Sequence, residues 1–83
     1  MGIDYELLGQ RIRQTRLKAG MTQEALSGII DLSPSHYSHI ESGKTKISLP
    51  TLVSIAQALD TTIDSLLYDS TPVLIDSYDK DFK

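Results

Sequence analysis

Residues 22–43, TQEALSGIIDLSPSHYSHIESG, decide how this chain folds. They hold two short helical patterns, each opened by a hydroxyl side chain suited to capping. Thr22 is placed to accept a backbone N–H from the first turn of a helix carrying Gln23 and Glu24, and the acid of Glu24 favours the positive helix end. Met21 before that cap and Leu26 after it take the two positions of a hydrophobic staple. The device recurs at Ser33, where Pro34 suits the first helical position and Leu32 and Tyr37 flank the cap as a second staple. Only Ile30, Asp31 and Leu32 remain to turn the chain, so the two helices must cross at a steep angle.

That arrangement is a helix-turn-helix signature. Two such helices bury too little surface alone, so the remainder of the 83 residues has to support them in one small domain. With no cysteine, neither a disulfide framework nor a thiolate metal site is available, and stability must come from packing. An apolar fraction of 40 % with few Gly and Pro fits a globular helical chain and not a disordered one. No apolar run approaches membrane-spanning length and the first residues lack a signal-peptide pattern, so the expected location is the cytoplasm, without a membrane.

The net charge of −3 argues against nucleic acid only as an average. Residues 1–50 carry six basic side chains (Arg11, Arg13, Arg16, Lys18, Lys44, Lys46) against five acidic ones, a net of +1. Residues 51–83 carry Lys80 and Lys83 against six aspartates, a net of −4. A surface built from the N-terminal part is then locally positive while the far side repels phosphate, which would orient docking.

Working outward, Tyr5 to Ala19 reads as a first helix with Leu8 and Ile12 on its inward face and Arg11, Arg13 and Lys18 largely outside it. Gly20 ends it in a Schellman-type cap with Met21 as the hydrophobic contact. The second helix, about Gln23 to Ile30, buries Leu26 and either Ile29 or Ile30, and Asp31 takes the left-handed position of the turn. The third, Pro34 to Ser42, turns Tyr37 and Ile40 inward and carries Ser35, His36, Ser38, His39 and Ser42 on its polar face, with Gly43 closing it as Gly20 closes the first. After the basic loop Lys44-Thr45-Lys46, Ser48 caps a fourth helix, with Ile47 and Leu52 as its staple, Pro50 in its opening turn and Leu52, Ile55, Ala56 and Leu59 as its stripe. Asp60 and Thr61 turn the chain, and Thr62 caps a short fifth helix with Ile63, Leu66 and Leu67 apolar. The result is an all-α, compact five-helix bundle over residues 1–68. Residues 69–83, with a Pro, the run Val73 to Ile75 and scattered aspartates, read as an extended tail, which either adds as a strand to another chain or begins a further helix.

The run from Leu8 to Leu67, including RLKAGMTQEAL, LSPSHYSHIESGKTK and SLPTLVSIAQALDTTIDSLL, resembles the Xre family of helix-turn-helix domains, the class of lambdoid phage repressor and Cro proteins. About 60 residues carry the resemblance, through Arg16, the MTQEAL helix start, the IESGK helix end and the I-A-x-A-L pattern together. It implies a lambda-repressor-like fold, double-stranded DNA as partner, and a homodimeric transcription regulator whose helix 34–42 enters the major groove. By position it also implies base readout by Ser35, His36, Ser38 and His39. Phosphate contact is implied for Arg16, Thr22, Gln23, Ser33, Ser42, Lys44, Thr45 and Lys46, and a structural salt bridge for Arg16 with Glu41. The sequence departs from the family at Ser27, where Ala is favoured, and at Asp31 and Asp60, where Gly is favoured. Pro34 stands where a base-reading side chain often lies and can donate nothing, and Ser35 is short, so readout rests on His39 and His36 together with shape and water.

The bland readings weigh differently from site to site. Arg16 and Glu41 are chiefly an internal strut. His36 and His39 at i, i+3 suggest a metal pair, but with no Cys and no further His the ligand set is short, so neither a metal nor a cofactor is expected. Two histidines without a nucleophile, an oriented partner or a pocket make no general base, which excludes an enzyme. A second hypothesis treats the chain as a protein-interaction module, an antitoxin-like or anti-repressor partner binding through its acidic C-terminal third or the Val73 to Ile75 run, with residues 69–83 as the segment for a protein partner.

Overall fold

Side-chain caps set the start of every helix in the computed structural model, which describes residues 2–68. Among the described residues five helices run in order: α1 (Tyr5–Lys18), α2 (Gln23–Ile29), α3 (Pro34–Glu41), α4 (Leu49–Ala58) and α5 (Ile63–Tyr68). Thr22, Ser33 and Ser48 each accept an N–H three residues on, as their positions before the apolar stripes predict, and Thr62 does the same for α5. Asp4 caps α1 by accepting from the backbones of both Glu6 and Leu7. The expected tail beyond residue 68 lies outside the described residues.

The helix ends share one device. Gly20, Asp31, Gly43 and Asp60 all have positive φ, between 53° and 79°. In each case the following residue donates back into the last helical turn: Met21 to Arg16 O, Leu32 to Ser27 O, Lys44 to His39 O and Thr61 to Ala56 O. These are four Schellman turns. Two use glycine and two use aspartate, the non-glycine residue type that visits the left-handed region most readily after asparagine. Short identical turns leave little freedom in the connections, and the helices pack as a consequence: α1 on α3 and α5, α2 on α3 and α4, and α4 on α5.

The core is continuous, built from Leu8 and Ile12 of α1, Leu26 of α2, Tyr37 and Ile40 of α3, Leu52, Ile55 and Ala56 of α4, Leu59, and Leu66 of α5. Met21, Leu32 and Ile47, the residues preceding three of the caps, pack against its edge as the staples require. Of the two isoleucines ending α2, Ile30 turns inward, whereas Ile29 is 61 % exposed. No described helix is long and apolar enough to cross a membrane.

One contact fixes how closely α1 approaches α3. Gly9 is buried, and a Cβ added there would lie 2.6 Å from the Ile40 carbonyl oxygen and 2.7 Å from the Glu41 carbonyl carbon. Only a hydrogen fits at that crossing. Gly28, on α2, has open space around it. Gly9→Ala is therefore expected to destabilise the domain by about 3 kcal/mol through overpacking against backbone. Gly28→Ala should stabilise it by about 0.5 kcal/mol through helix propensity. Urea titrations of the two variants check the opposite signs.

Candidate nucleic-acid interface

The site is organised from beneath, by a charged group in the interior. Arg16 and Glu41 are both buried, and the guanidinium grips the carboxylate with two bonds: Nε to Oε2 at 2.6 Å and Nη2 to Oε1 at 3.2 Å. The remaining Arg16 nitrogen, Nη1, donates to the Met21 carbonyl at 2.8 Å. Gln23 Nε2 donates to Glu41 Oε1 at 2.9 Å and the Tyr37 hydroxyl donates to Oε2. One carboxylate thus gathers side chains from α1, α2 and α3. Burial by itself would push the Glu41 carboxyl up; the bonds from Arg16, Tyr37 and Gln23 outweigh it and hold the group below its ordinary value. Burial first, and then the bond to Glu41, push the Tyr37 hydroxyl above its ordinary value. The bond to Glu41 raises the Arg16 guanidinium against the opposing effect of burial.

Above this interior the α3 surface is polar. Ser35, His36 and His39 are exposed, and Ser38 is half-buried. The Ser33 hydroxyl is engaged as the cap and the Ser42 hydroxyl donates to the His39 carbonyl. The loop after α3 stays against the helix end, because the N–H groups of Lys44 and Thr45 both point to His39 O, at 3.0 and 3.4 Å. Lys44 and Lys46 are exposed on that loop. Thr22 and Gln23 open α2 on exposed and half-buried positions respectively. The structure therefore gathers the polar flank of α3, the start of α2 and the basic loop around the α2–α3 unit.

Two of the expected phosphate contacts also bond in the interior. Arg16 has all three of its nitrogens bonded in the interior, which makes it a strut between α1 and the end of α3. Gln23 gives one N–H to Glu41 and keeps the second N–H of the same amide. Sequence reasoning missed Tyr37 as a hydrogen-bond partner, although Tyr and Glu at i, i+4 on one inward face are a usable signal. Gly9 was missed as well, and the only local signal was a glycine in the middle of a helical pattern. Among the described residues, no group of three or more His, Cys, Asp or Glu side chains is placed to hold a metal ion.

A family model described as helix-turn-helix matches residues 12–66. The chain is 40 % identical over 62 residues to the control protein C.BamHI of Bacillus amyloliquefaciens, covering 74 % of this chain and 76 % of that protein. Among solved structures it is similar to the restriction-modification controller protein C.AhdI from Aeromonas hydrophila, with a TM-score of 0.73 and 33 % identity over 76 % of this chain and 96 % of the other. It is similar also to the P22 c2 repressor, solved with a synthetic operator, with a TM-score of 0.70 and 32 % identity over the same shares. Against a transcriptional regulator of Mycobacterium tuberculosis, matched at 31 % identity, the chain spans 14 % of the relative's length.

The buried pair makes a stability prediction. Glu41→Ala leaves the Arg16 charge uncompensated and is expected to cost about 3–5 kcal/mol, whereas replacing both partners with Met and Leu should recover most of that loss. The acid dependence has a definite sign. With the folded carboxyl held below 4.5, the unfolded chain takes up the proton first, so stability present above about pH 4.5 is lost as the pH falls from there through the lowered folded value. Thermal melts between neutral and acid pH, run on the native chain and on the double variant, should show that step only where Glu41 is present.

Proposed function

The chain belongs to the helix-turn-helix family matched over residues 12–66, a family of DNA-binding transcription regulators and not of enzymes, and on that premise we propose that it works as a homodimer on a palindromic operator. In this reading α3 lies in the major groove with Ser35, His36, Ser38 and His39 toward base edges. Thr22, Gln23, Ser33, Ser42, Lys44, Thr45 and Lys46 surround it toward phosphate, and Arg16 acts from below. Cytoplasmic location goes with that partner. The observation that carries the proposal is the exposed polar flank of α3, held rigid by a buried ion pair at its end and bordered by the basic loop.

Chemistry divides the roles. Pro34 at the start of α3 has no side-chain donor, and the Ser33 hydroxyl accepts the capping N–H, so these two positions contribute shape and not base readout. His36 and His39 are the exposed imidazoles of the helix, and they carry the side-chain reach that serine lacks. Operator binding by the P22 c2 repressor supports a duplex as partner, and the match to two controller proteins over most of their length supports a compact regulator of that kind. The same comparisons favour DNA-binding regulation over the protein-interaction module.

Two-fold symmetry would place half-sites about one helical turn, roughly 34 Å, apart. Sites selected from a random duplex library test this directly. Lys46→Ala is expected to weaken binding to selected and random duplexes alike and to lower the log–log salt slope by about 1. His39→Ala should lose about 1–3 kcal/mol on the selected site and relax the preference at one base position. Equal losses on both duplexes for His39→Ala would rule out base reading by that side chain.

A further inference from the structure

The basic loop is anchored to α1 as well as to α3. Gly43 sits directly on the first turn of α1: a Cβ added there would lie 2.7 Å from Glu6 Cα. Gly43 donates to Ile40 O, and Lys44 and Thr45 donate to His39 O, so the loop backbone has little freedom left. Lys46 follows on that loop as an exposed residue, and its ammonium has four rotatable side-chain bonds to explore. That ammonium lies over the ring of Tyr5, with Nζ 5.9 Å from the centroid. Tyr5 is the first residue of α1, half-buried, and packed against the core. Its ring is therefore a fixed platform and the lysine a mobile group resting on it.

We propose that Tyr5 is a positioning residue for DNA binding, its ring face holding the Lys46 ammonium over α1 so that the charge is presented to a backbone phosphate already ordered. A cation on a ring face is attracted by the quadrupole without using its N–H groups, which stay available to an anion on the opposite side. A hydrogen bond or ion pair within the protein would consume those donors, and a free lysine would have to be ordered on binding. The inference rests on the reading of Lys46 as a phosphate contact and adds a residue from outside the α2–α3 unit. The two observations behind it are independent, since the Gly43–Glu6 approach sets the start of the loop against α1 and the ring contact places the ammonium over Tyr5.

The test is a double-substitution cycle on the full 83-residue chain, with affinity for a selected duplex measured by fluorescence anisotropy across a salt series. Tyr5→Leu, which keeps apolar bulk and removes the ring, is expected to weaken binding by about two- to five-fold, the size of an exposed cation–π contact. Tyr5→Phe should bind like the native chain. Lys46→Met should lower the salt slope by about 1, and Tyr5→Leu should cost nothing further in its presence. Circular dichroism establishes that each variant is folded at the assay temperature, with Tyr5→Met as the alternative if Tyr5→Leu is not. Additive losses from Tyr5→Leu and Lys46→Met overturn the positioning role while leaving Lys46 as a phosphate contact. A loss with Tyr5→Phe equal to that with Tyr5→Leu overturns it too, because the hydroxyl and not the ring would then be responsible. A Lys46→Met chain with unchanged affinity and salt slope overturns both the contact and the inference built on it.

Discussion

A single buried carboxylate determines where the exposed face of α3 can be. Glu41 sits at the last position of that helix, and its side chain takes bonds from Arg16, Gln23 and Tyr37 while its backbone lies against Gly9. Gly9 and Arg16 are seven residues apart, two turns and about 10.5 Å along one face of α1. The same residue of α3 is therefore held at two points on α1, and α2 is tied to it through Gln23. Ion pairs of this kind are weak contributors to net stability, because the desolvation of two charges offsets much of their attraction. Their directional bonds nevertheless define a geometry in a way that apolar packing alone does not. In a domain that must present one short helix to a partner, that geometry is what the pair supplies.

The turns work toward the same end. An eight-residue helix cannot hold its own orientation, since the first and last four backbone groups are unpaired within it. Here the Ser33 cap serves one end and the Gly43 turn the other, and the Gly43 turn also brings the basic loop against α1. The termination of α3 and the placement of Lys44 and Lys46 are one structural event. Asp31 shows the cost of using the same turn where glycine is absent: it holds φ near 59° by a residue type that only tolerates it.

Most of the fold was legible because it is encoded within four or five residues. The caps at Thr22, Ser33, Ser48 and Thr62, the staples, the left-handed Asp31 and the stripe Leu52, Ile55, Ala56, Leu59 all depend on local spacing. The Asp4 cap carries the same kind of signal and was overlooked. What spacing does not contain is the meeting of distant residues. Gly9 against Glu41, Gln23 on the carboxylate, and Tyr5 beneath Lys46 arise only once α1 and α3 are packed. The choice between Ile29 and Ile30 was open for a related reason: seven helical residues are under two turns, too few for the periodicity to separate adjacent positions. The Arg16–Glu41 pair was reached through family resemblance, since nothing in a one-dimensional pattern joins residues 25 positions apart.

The site divides along the same line. Exposure of Ser35, His36 and His39 follows from the inward positions of Tyr37 and Ile40, so the outward flank was fixed by what the helix buries. Whether a polar residue on that flank is free to bind a ligand is a different question, and it is settled by the interior partners that each side chain finds. Arg16 is buried with all three nitrogens bonded inside the fold, Gln23 gives one amide N–H to Glu41, the Ser33 hydroxyl accepts at the start of α3 and the Ser42 hydroxyl donates at its end. The two histidines and two loop lysines are left as the long polar side chains exposed on α3 and its loop. A sequence with six basic residues in its first fifty therefore exposes fewer of them at this face than a charge count implies. The specificity of such a surface has to come from the exactness of its placement, which returns the burden to the carboxylate underneath.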